Sequence, residues 1–330
     1  MKSDNTLAFE VSKLTKRFGE VTAVNDISFG VKQGELFGFL GPNGAGKTTT
    51  INMLTGLARL DTGTINIGGI DCTRNPKAAQ HLVGIVPDES NLYPELTGFD
   101  NLCFCAALYG IRKNERQKRA RELLDTFGLT DAANRKFAGY SRGMKRKLTF
   151  AAGIIHQPPI LFLDEPTTGI DVASARQVRQ IIAGLHNKGT TVFLTTHYIE
   201  EAERLCERIA FIVNGRIVRT NRTADLLQPV KGKNILLLSV SNYEGKLSEE
   251  LAAAFPKYQV QSLTPGEVRV ESTEQVIVGP LVHFLEERDI QVTEARRQVP
   301  SLEDIFVQVT GIEAGLMKKE KEKAGGGGNQ

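Results

Sequence analysis

Tryptophan is absent from this chain of 330 residues, and cysteine is scarce, with four residues in all. The cysteines, Cys72, Cys103, Cys105 and Cys206, do not have the spacing of zinc ligands, because Cys103 and Cys105 are two apart and no second pair follows. We therefore expect incidental, mostly buried thiols in a cytosolic protein, and neither a metal centre nor a disulfide framework.

Long apolar runs and a signal-like beginning are missing as well. A membrane-spanning helix needs about 18 apolar residues, and the nearest stretch, LTFAAGII at residues 148–155, is far shorter. The opening residues MKSDNTLAFE lack the charged-then-apolar pattern of a secretion signal. These patterns predict a soluble protein, which can still reach a membrane through a partner.

Neither positive nor negative charge is in large excess. The chain has 41 Lys and Arg against 38 Asp and Glu, for a net charge of +3. Dedicated DNA-binding proteins usually carry a strong basic excess, so we expect no nucleic-acid partner. The composition is that of an ordinary globular protein, and the length favours two domains.

Short apolar segments alternate with longer segments of helical period in the first two thirds of the chain. The segments that predict buried strands are residues 35–40, 81–86, 160–164 and 191–196. Such an alternation indicates a mixed or parallel sheet in an α/β domain, which we place at residues 1–225. The stretch from about residue 90 to residue 158 begins without strand patterns. We predict that it forms an all-helical insertion in this domain.

The pattern changes near residue 225. Residues 226–232 predict a linker, and residues 233–311 predict a small α+β domain in which strands such as NILLLSVS and EVRVES accompany two helices. Residues 312–330 contain mixed charges and four consecutive glycines, and we predict a disordered tail.

GPNGAGKT, at residues 41–48, fits the phosphate-loop pattern GxxxxGK[ST] and lies between a predicted strand and a predicted helix. Its glycines let successive N–H groups face an anion, and the helix adds its positive end. Lys47 is then expected to reach the β and γ phosphates and Thr48 to ligate Mg²⁺. The residues predicted to bind the nucleotide here are Gly41, Pro42, Asn43, Gly44, Ala45, Gly46, Lys47, Thr48 and Thr49.

Two further motifs follow buried strands. ILFLDEP places Asp164 and Glu165 at a strand end, where open α/β sheets collect their ligands. We expect Asp164 to hold Mg²⁺ through water and Glu165 to orient or deprotonate the attacking water. His197, in TTHYIEEAE, is expected to contact the γ-phosphate, so that Lys47, Glu165 and His197 form the catalytic set. Each motif alone also suits helix capping or a solvated surface.

In this order, GPNGAGKTT, YSRGM, ILFLDEP, TGID and TTHYIEEAE resemble the ATP-binding subunits of ABC transporters, over about residues 7–225. The C-terminal part, ending in SLEDIFVQVTG, resembles export-type subunits of the daunorubicin-resistance kind. The resemblance implies an ATPase that works as a homodimer with a membrane permease at the cytoplasmic face of the cell membrane. It also implies export of a drug-like, lipid or polysaccharide-type cargo.

The resemblance assigns roles to further residues. YSRGM aligns with the signature LSGGQ, so Ser141 and Gly143 should contact the γ-phosphate of ATP held by the opposite subunit. Asp171, in TGID, should lie at the subunit interface, where it can also cap the helix that follows. Phe18 occupies the place of the residue that stacks on adenine, although an ordinary apolar residue beside a strand fits that position as well. Residues 91–97 should begin the groove that receives a permease helix.

Some positions depart from the family's pattern. Arg142 and Met144 replace the glycine and glutamine of the signature. Asp88 replaces the usual glutamine that links Mg²⁺ to the membrane partner, and its carboxylate could bind Mg²⁺ or the water on it. A turn residue after Pro87 is the plainer interpretation of Asp88. The basic run at residues 145–147 predicts a solvated helix face, with Arg142 closest to phosphate.

Two other classes stay open at this point. One is a non-transport ABC ATPase that acts as a mechanical switch on ribosomes or nucleic acid, and the other is an ordinary P-loop kinase. Translation factors of the superfamily carry two cassettes in a chain, whereas this chain has one phosphate loop. Repair and chromosome-organising relatives separate the half-sites by very long coiled coils, which the stretch between Lys47 and Asp164 is too short to contain.

Overall fold

The structure, a computed structural model, describes residues 6–227, 234–241, 246–298 and 302–312. Most of the predicted linker at 226–232 and nearly all of the predicted tail at 312–330 lie outside the described residues. The chain divides into two compact units, one holding residues up to Thr223 and from Phe306 onward, and one holding Ala224–Ile305. The division falls inside the last helix, which the sequence had placed wholly in the second domain.

The first unit contains two sheets. Its strands are β1 (Leu7–Phe18), β2 (Val21–Lys32), β3 (Leu36–Leu40), β4 (Thr62–Ile67), β5 (Ile70–Asp71), β6 (Val83–Val86), β7 (Ile160–Asp164), β8 (Thr191–Thr196), β9 (Arg208–Val213) and β10 (Arg216–Arg222). Its α-helices are α1 (Lys47–Leu54), α2 (Gly98–Leu108), α3 (Lys113–Thr126), α4 (Arg142–Ile154), α5 (Val172–Asn187) and α6 (Ile199–Leu205), and a short α7 (Thr223–Leu226) follows. Single 3₁₀ turns occupy Pro76–Leu82, Thr130–Ala132 and Phe137–Gly139.

The six-stranded sheet has the order β10-β9-β3-β8-β7-β6, and every neighbouring pair except β10 with β9 is parallel. Strands β3, β7 and β8 are buried along their whole length, as their apolar runs predict. Because parallel strands end at one edge, the loops after these three strands lie side by side. The predicted α/β class with a mixed, mostly parallel sheet is confirmed. The strand predicted at 81–86 is shorter, since the 3₁₀ turn extends to Leu82.

A second, antiparallel sheet of order β2-β1-β4-β5 was not predicted from the sequence. It packs on the six-stranded sheet through aromatic rings: the centroid of Phe9 lies 5.2 Å from that of Phe162 and 5.7 Å from that of Phe193. Phe29 stacks on Phe37 with centroids 5.7 Å apart. Register shifts along the β1–β2 pair interrupt the strict alternation by which a strand is recognised.

The helical insertion contains α2, α3 and α4. Thr97 caps α2 by accepting the Asp100 N–H at 3.0 Å. Tyr140, directly before the signature serine, is buried, and its hydroxyl donates to the Ala132 carbonyl at 2.7 Å. This bond fixes the chain at the point where α4 begins.

The second unit is a small α+β arrangement. Its strands are β11 (Asn234–Ser241), β12 (Gln259–Thr264), β13 (Glu267–Ser272) and β14 (Gln291–Gln298), and its helices are α8 (Leu247–Ala254) and α9 (Val278–Glu286). The last helix, α10 (Leu302–Thr310), belongs to this unit as far as Ile305. The sheet is antiparallel in the order β12-β13-β11-β14. Alternate residues such as Leu236 and Leu238 are buried with Leu251 of α8 and Leu285 of α9.

The four cysteines are free thiols, of which Cys72 and Cys206 are buried and Cys103 and Cys105 are half-buried. Among the residues that the structure describes, none of the helices has both the length and the apolar character to cross a membrane.

Candidate active site

The phosphate loop joins β3 to α1 by a path that leaves no room for a side chain at two glycines. Gly46, which precedes α1, has φ 101°, and a Cβ there would lie 2.4 Å from the Ala23 carbonyl oxygen. A Cβ at Gly41 would lie 2.2 Å from the Ile212 carbonyl oxygen. The loop is therefore seated directly against the backbones of β2 and β9.

The other loop residues differ in exposure. Gly44 and Thr48 are exposed, Pro42, Asn43 and Thr49 are half-buried, and Ala45 is buried. The hydroxyl-bearing Thr48 lies in the first turn of α1, where the helix presents N–H groups and partial positive charge. This end of the helix is suited to an anion such as a phosphate group.

Lys47 is buried and points across the site. Its Nζ donates to the carbonyl oxygens of Gly41 at 2.8 Å and Pro42 at 3.0 Å. The same ammonium lies 3.2 Å from Glu165 Oε1, an ion pair whose angles fall outside those of a hydrogen bond. The structure thus brings the predicted phosphate-binding lysine and the predicted base together.

The Glu165 carboxylate is held between His197 and Lys47. His197 Nδ1 lies 2.7 Å from Oε2 and donates to it, because an ionised carboxylate can only accept, and the Thr168 hydroxyl donates at 3.0 Å. Burial raises the pKa of Glu165, but the hydrogen bond from His197 and the charge of Lys47 together outweigh it, so that its pKa lies below the ordinary 4.5. Oε1 has no hydrogen-bond partner in the described part of the chain.

The backbone of Glu165 is strained, since this non-glycine residue has φ 47°. Such a conformation costs on the order of 1–3 kcal/mol and persists where neighbours enforce it. The Glu165 N–H is fixed by the Thr195 carbonyl at 3.1 Å and by the Thr195 hydroxyl at 3.2 Å. That hydroxyl also donates to Asp164 Oδ1 at 2.5 Å, which orients the second carboxylate.

The residues predicted to hold a metal offer oxygen atoms only. Asp164 is buried, whereas Thr48 and Asp88 are exposed. Hydroxyl and carboxylate oxygens are the donors that Mg²⁺ accepts, and Mg²⁺ usually completes its shell with water and substrate phosphates. Within the described residues, no three His, Cys, Asp or Glu side chains cluster as a metal cage.

The signature residues lie at the start of α4. Ser141 caps the helix by accepting the Met144 N–H at 3.3 Å. Gly143 is packed so closely that a Cβ would lie 2.6 Å from Ser174 Oγ. Asp171 caps α5 in turn, accepting the N–H of Ser174 at 2.9 Å and its hydroxyl at 2.7 Å. The signature and the TGID segment of one chain are therefore in contact.

Several predicted residues stand apart from the catalytic set. In the described residues no hydrogen bond or ion pair joins Phe18, Ser141 or Gly143 to Lys47, Glu165 or His197. Phe18 is 55% exposed, and Lys16 Nζ lies 5.2 Å from the centre of its ring. Phe18 and Ser141 are thus both exposed, with Lys16 over the ring of Phe18.

The prediction that residues 145–147 face solvent is wrong for Arg146, which is only 6% exposed. Its guanidinium donates to five main-chain carbonyls, those of Pro87, Asp88, Asp164, Glu165 and Pro166. The sequence spacing did indicate that Arg146 is buried. It lies three residues after Gly143 and four before Phe150, which places it on the buried face of α4. Arg142, predicted near phosphate, packs against Gly169 of the same chain.

Sequence reasoning also missed Glu201 as a site residue. Its buried carboxylate accepts the Thr167 hydroxyl at 2.7 Å and the Thr196 hydroxyl at 2.9 Å. Burial raises the pKa of Glu201, and the two hydroxyls act against that rise. The side chain ties the loop after β7 to the loop after β8, which carry Glu165 and His197.

Comparison with known proteins identifies the family to which the chain is similar. The sequence profile of the family described as ABC transporter matches residues 24–168. The linearmycin resistance ATP-binding protein LnrL of Bacillus subtilis (strain 168) is 37% identical over 307 residues, covering 92% of this chain and 98% of that protein. The daunorubicin/doxorubicin resistance ATP-binding protein DrrA of Streptomyces peucetius is 36% identical over 317 residues, covering 94% of each.

Solved structures match about two thirds of the chain. An ATP binding subunit of an ABC transporter matches with a TM-score of 0.62 and 31% identity, over 67% of this chain and 92% of the other. A dimeric post-hydrolysis state of the ATP-binding cassette MJ0796, bound to ADP and Pi, matches with a TM-score of 0.61 and 27% identity, over 65% and 98%.

Fold and site together define a P-loop ATPase. The chain belongs to the ABC transporter family, and it is an ATP-binding and ATP-hydrolysing subunit of that family. The predictions of an ATPase that serves transport are thereby confirmed.

His197→Ala should slow ATP hydrolysis by about 100-fold or more while leaving ATP affinity within a few-fold, because the imidazole orients Glu165 and does not line the phosphate loop. Steady-state ATPase assays and titration with a fluorescent ATP analogue measure the two quantities. His186→Ala, a half-buried histidine at the end of α5, is the matched control and should hydrolyse normally. An unchanged turnover number in His197→Ala would contradict the assignment.

Ionisation of Glu165 should contribute to stability in a defined direction. Because its folded-state pKa lies below 4.5, the stabilisation is present above that pH and is lost as the pH falls through the folded-state pKa. The free energy of unfolding of the wild type should fall more steeply than that of Glu165→Gln from about pH 5 to about pH 3, as urea denaturation would show. Equal slopes would mean that His197 and Lys47 do not stabilise the carboxylate.

Proposed function

We propose that two copies of this chain drive an exporter whose permease is a separate membrane protein, and that the cargo is drug-like, lipid or of polysaccharide type. One observation carries the proposal: the relatives named for linearmycin and daunorubicin/doxorubicin resistance align with 92% and 94% of the chain, which includes most of the second unit. A Nod factor export ATP-binding protein of Paraburkholderia xenovorans (strain LB400) is 35% identical over 93% of the chain and supports the same direction of transport.

Hydrolysis of the terminal phosphate rests on three side chains. Glu165, ionised and aligned by His197, accepts a hydrogen bond or proton from the attacking water through Oε1, which is buried 3.2 Å from Lys47 Nζ and has no hydrogen-bond partner among the described residues. The water oxygen bonds to the γ-phosphorus as the bond to the β–γ bridging oxygen breaks, giving ADP and phosphate. Lys47 neutralises charge on the β and γ phosphates, so its pairing with Glu165 links phosphate binding to the state of the base.

Magnesium fits the oxygen donors at the edge of the sheet. Thr48 would ligate the ion through its hydroxyl, Asp164 would hold it through water, and Asp88 would contact the ion or its water. When bound, Mg²⁺ neutralises the β and γ phosphate oxygens. Asp88 is exposed in a loop whose carbonyls are held by Arg146, so its carboxylate is presented from a fixed backbone.

The second half of each site comes from the partner copy. Ser141 and Gly143 begin α4, a helix of 13 residues whose free N–H groups suit an anion. We assign these residues to the γ-phosphate of ATP held by the opposite copy, with Asp171 at the interface between copies. Phe18 would stack on adenine through its exposed ring. ATP then closes the pair, and hydrolysis reopens it.

The permease contact lies on the helical insertion. Tyr93, Phe104 and Leu108 are large apolar residues that are 52%, 39% and 71% exposed, and the rings of Tyr93 and Phe104 meet edge to face at 5.1 Å. An exposed apolar patch of this kind is typical of a surface that receives a helix of another protein. Such docking would hold the chain at the cytoplasmic face of the cell membrane.

Glu165→Gln should bind ATP and accumulate as a closed dimer, because the amide preserves the shape of the site but cannot accept the proton from water. Size-exclusion chromatography with Mg-ATP measures the shift from monomer to dimer. The double variant Lys47→Ala/Glu165→Gln lacks the phosphate-binding ammonium and should stay monomeric. A Glu165→Gln sample that remains monomeric at saturating Mg-ATP would overturn the proposed pair.

Affinity purification of the tagged full chain from detergent-solubilised membranes should recover a multi-span membrane protein. Leu108→Asp should weaken that recovery, because it puts a charge in the apolar patch. Leu263→Asp, at an exposed apolar residue of the second unit, is the matched control and should leave recovery unchanged. Ribosomes or DNA in place of a membrane protein would favour the mechanical-switch alternative.

A further inference from the structure

The guanidinium of Arg146 donates hydrogen bonds to five main-chain carbonyls. Nε donates to the Pro166 carbonyl at 2.7 Å, and Nη2 donates to the carbonyls of Asp164 at 2.8 Å and Glu165 at 3.0 Å. Nη1 donates to the Pro87 carbonyl and to that of Asp88 at 2.9 Å. A planar fork of five N–H donors suits such an arrangement, and a lysine ammonium does not reproduce it.

The accepting carbonyls belong to two loops that end neighbouring strands. Pro87 and Asp88 follow β6, whereas Asp164, Glu165 and Pro166 end or follow β7. Burial is the largest influence on the pKa of Arg146 and lowers it, but the nearby carboxylates of Asp88 and Asp164 favour the charged form. The cation is therefore buried against carbonyl dipoles and carboxylates, which compensates its loss of water.

One of these contacts bears on the strained residue. The left-handed backbone of Glu165 is fixed at its N–H by Thr195 and at its carbonyl by Arg146. Without the hydrogen bonds of Thr195 or those of Arg146, the Glu165 backbone can relax toward ordinary φ values. That relaxation would turn the carboxylate away from His197. Arg146 thus positions the base without touching the reacting atoms.

The helix that carries Arg146 also carries the signature. Ser141 lies five residues before Arg146, about 7.5 Å along the helix axis at 1.5 Å per residue. Gly143 lies between them and packs on Ser174 at the start of α5. A displacement of the loops after β6 and β7 therefore moves the whole of α4, and with it the end that faces the partner copy.

We propose that Arg146 is a positioning residue that couples the two ATP sites of the dimer: it ties the nucleotide loops of its own copy to the signature that this copy contributes to the other site. The inference rests on the proposed dimer, in which Ser141 and Gly143 contact the partner's nucleotide. A purely local role would confine the effect of Arg146 to the site of its own copy, so the two roles differ in where a substitution acts.

Mixed dimers made from two differently tagged copies separate the two roles. One copy carries Glu165→Gln, so that hydrolysis comes only from the Glu165 of the other copy. Arg146→Lys is then placed either on the active copy or on the Glu165→Gln copy, which supplies only the signature to the active site. Single-turnover hydrolysis of bound ATP measures the chemical step in each preparation.

Both placements should slow hydrolysis by about tenfold or more, since misplacement of a reacting group by about 1 Å costs up to about 100-fold. Binding of a fluorescent ATP analogue should stay close to wild type, because the phosphate loop is untouched. The melting temperature should fall to the same extent in both placements, because the same buried carbonyls lose donors in each, and so it cannot account for where hydrolysis slows. Lys147→Met removes the adjacent charge from the same helix. Among the described residues, no hydrogen bond or ion pair joins Lys147 to these loops, so the substitution should have no effect in either placement.

Slow hydrolysis only when Arg146→Lys is on the active copy would overturn the coupling, and so would an unchanged rate in both placements. Should Arg146→Lys fail to fold, Arg146→Gln, which keeps two N–H donors without the charge, takes its place under the same criteria. A different result would show that the proposed function itself is wrong: no mixed dimer would form with Mg-ATP even when Arg146 is intact. The coupling proposal would then be wrong as well.

Discussion

Parallel pairing of β3, β8 and β7 is the constraint on which the rest of the site depends. It puts the ends of three buried strands next to one another, so that residues distant in sequence, Lys47, Glu165 and His197, meet within hydrogen-bonding or ion-pairing distance. The aromatic rings between the two sheets keep those strands from shifting relative to one another. Rigid strands therefore position short loops, and the loops carry the chemistry.

Buried polar groups at this edge of the sheet stabilise one another through hydrogen bonds. The Thr195 hydroxyl donates to Asp164 and accepts the Glu165 N–H. The Glu201 carboxylate accepts two threonine hydroxyls, and the Arg146 guanidinium donates to five main-chain carbonyls. Networks of this kind are costly when one member is lost, because the remaining groups stay desolvated without partners. The backbone of the site is accordingly held in place, while Glu165 Oε1, which faces Lys47 Nζ at 3.2 Å, has no hydrogen-bond partner among the described residues.

Much of this site could be predicted from the sequence, because the phosphate loop, the Asp-Glu pair and His197 each follow an apolar strand and carry their chemistry in short motifs. Arg146 could not be assigned, since its partners are main-chain carbonyls, which leave no mark on residue identity. The antiparallel sheet was missed for a related reason: bulges in β1 and β2 break the period on which strand recognition depends. The roles of Ser141, Gly143 and Asp171 depend on a second copy and that of Phe18 on a bound nucleotide, so all four stay predictions.

The close contact between Gly143 and Ser174 has an evolutionary consequence. A side chain at this position would crowd Ser174 within one chain, independently of any contact with a partner. A copy whose ATP site has decayed would still favour glycine where α4 meets α5. A retained signature glycine in a related chain is therefore weak proof of a working site. The exposed Ser141, whose hydroxyl caps α4 within its own chain, is the more informative residue to compare.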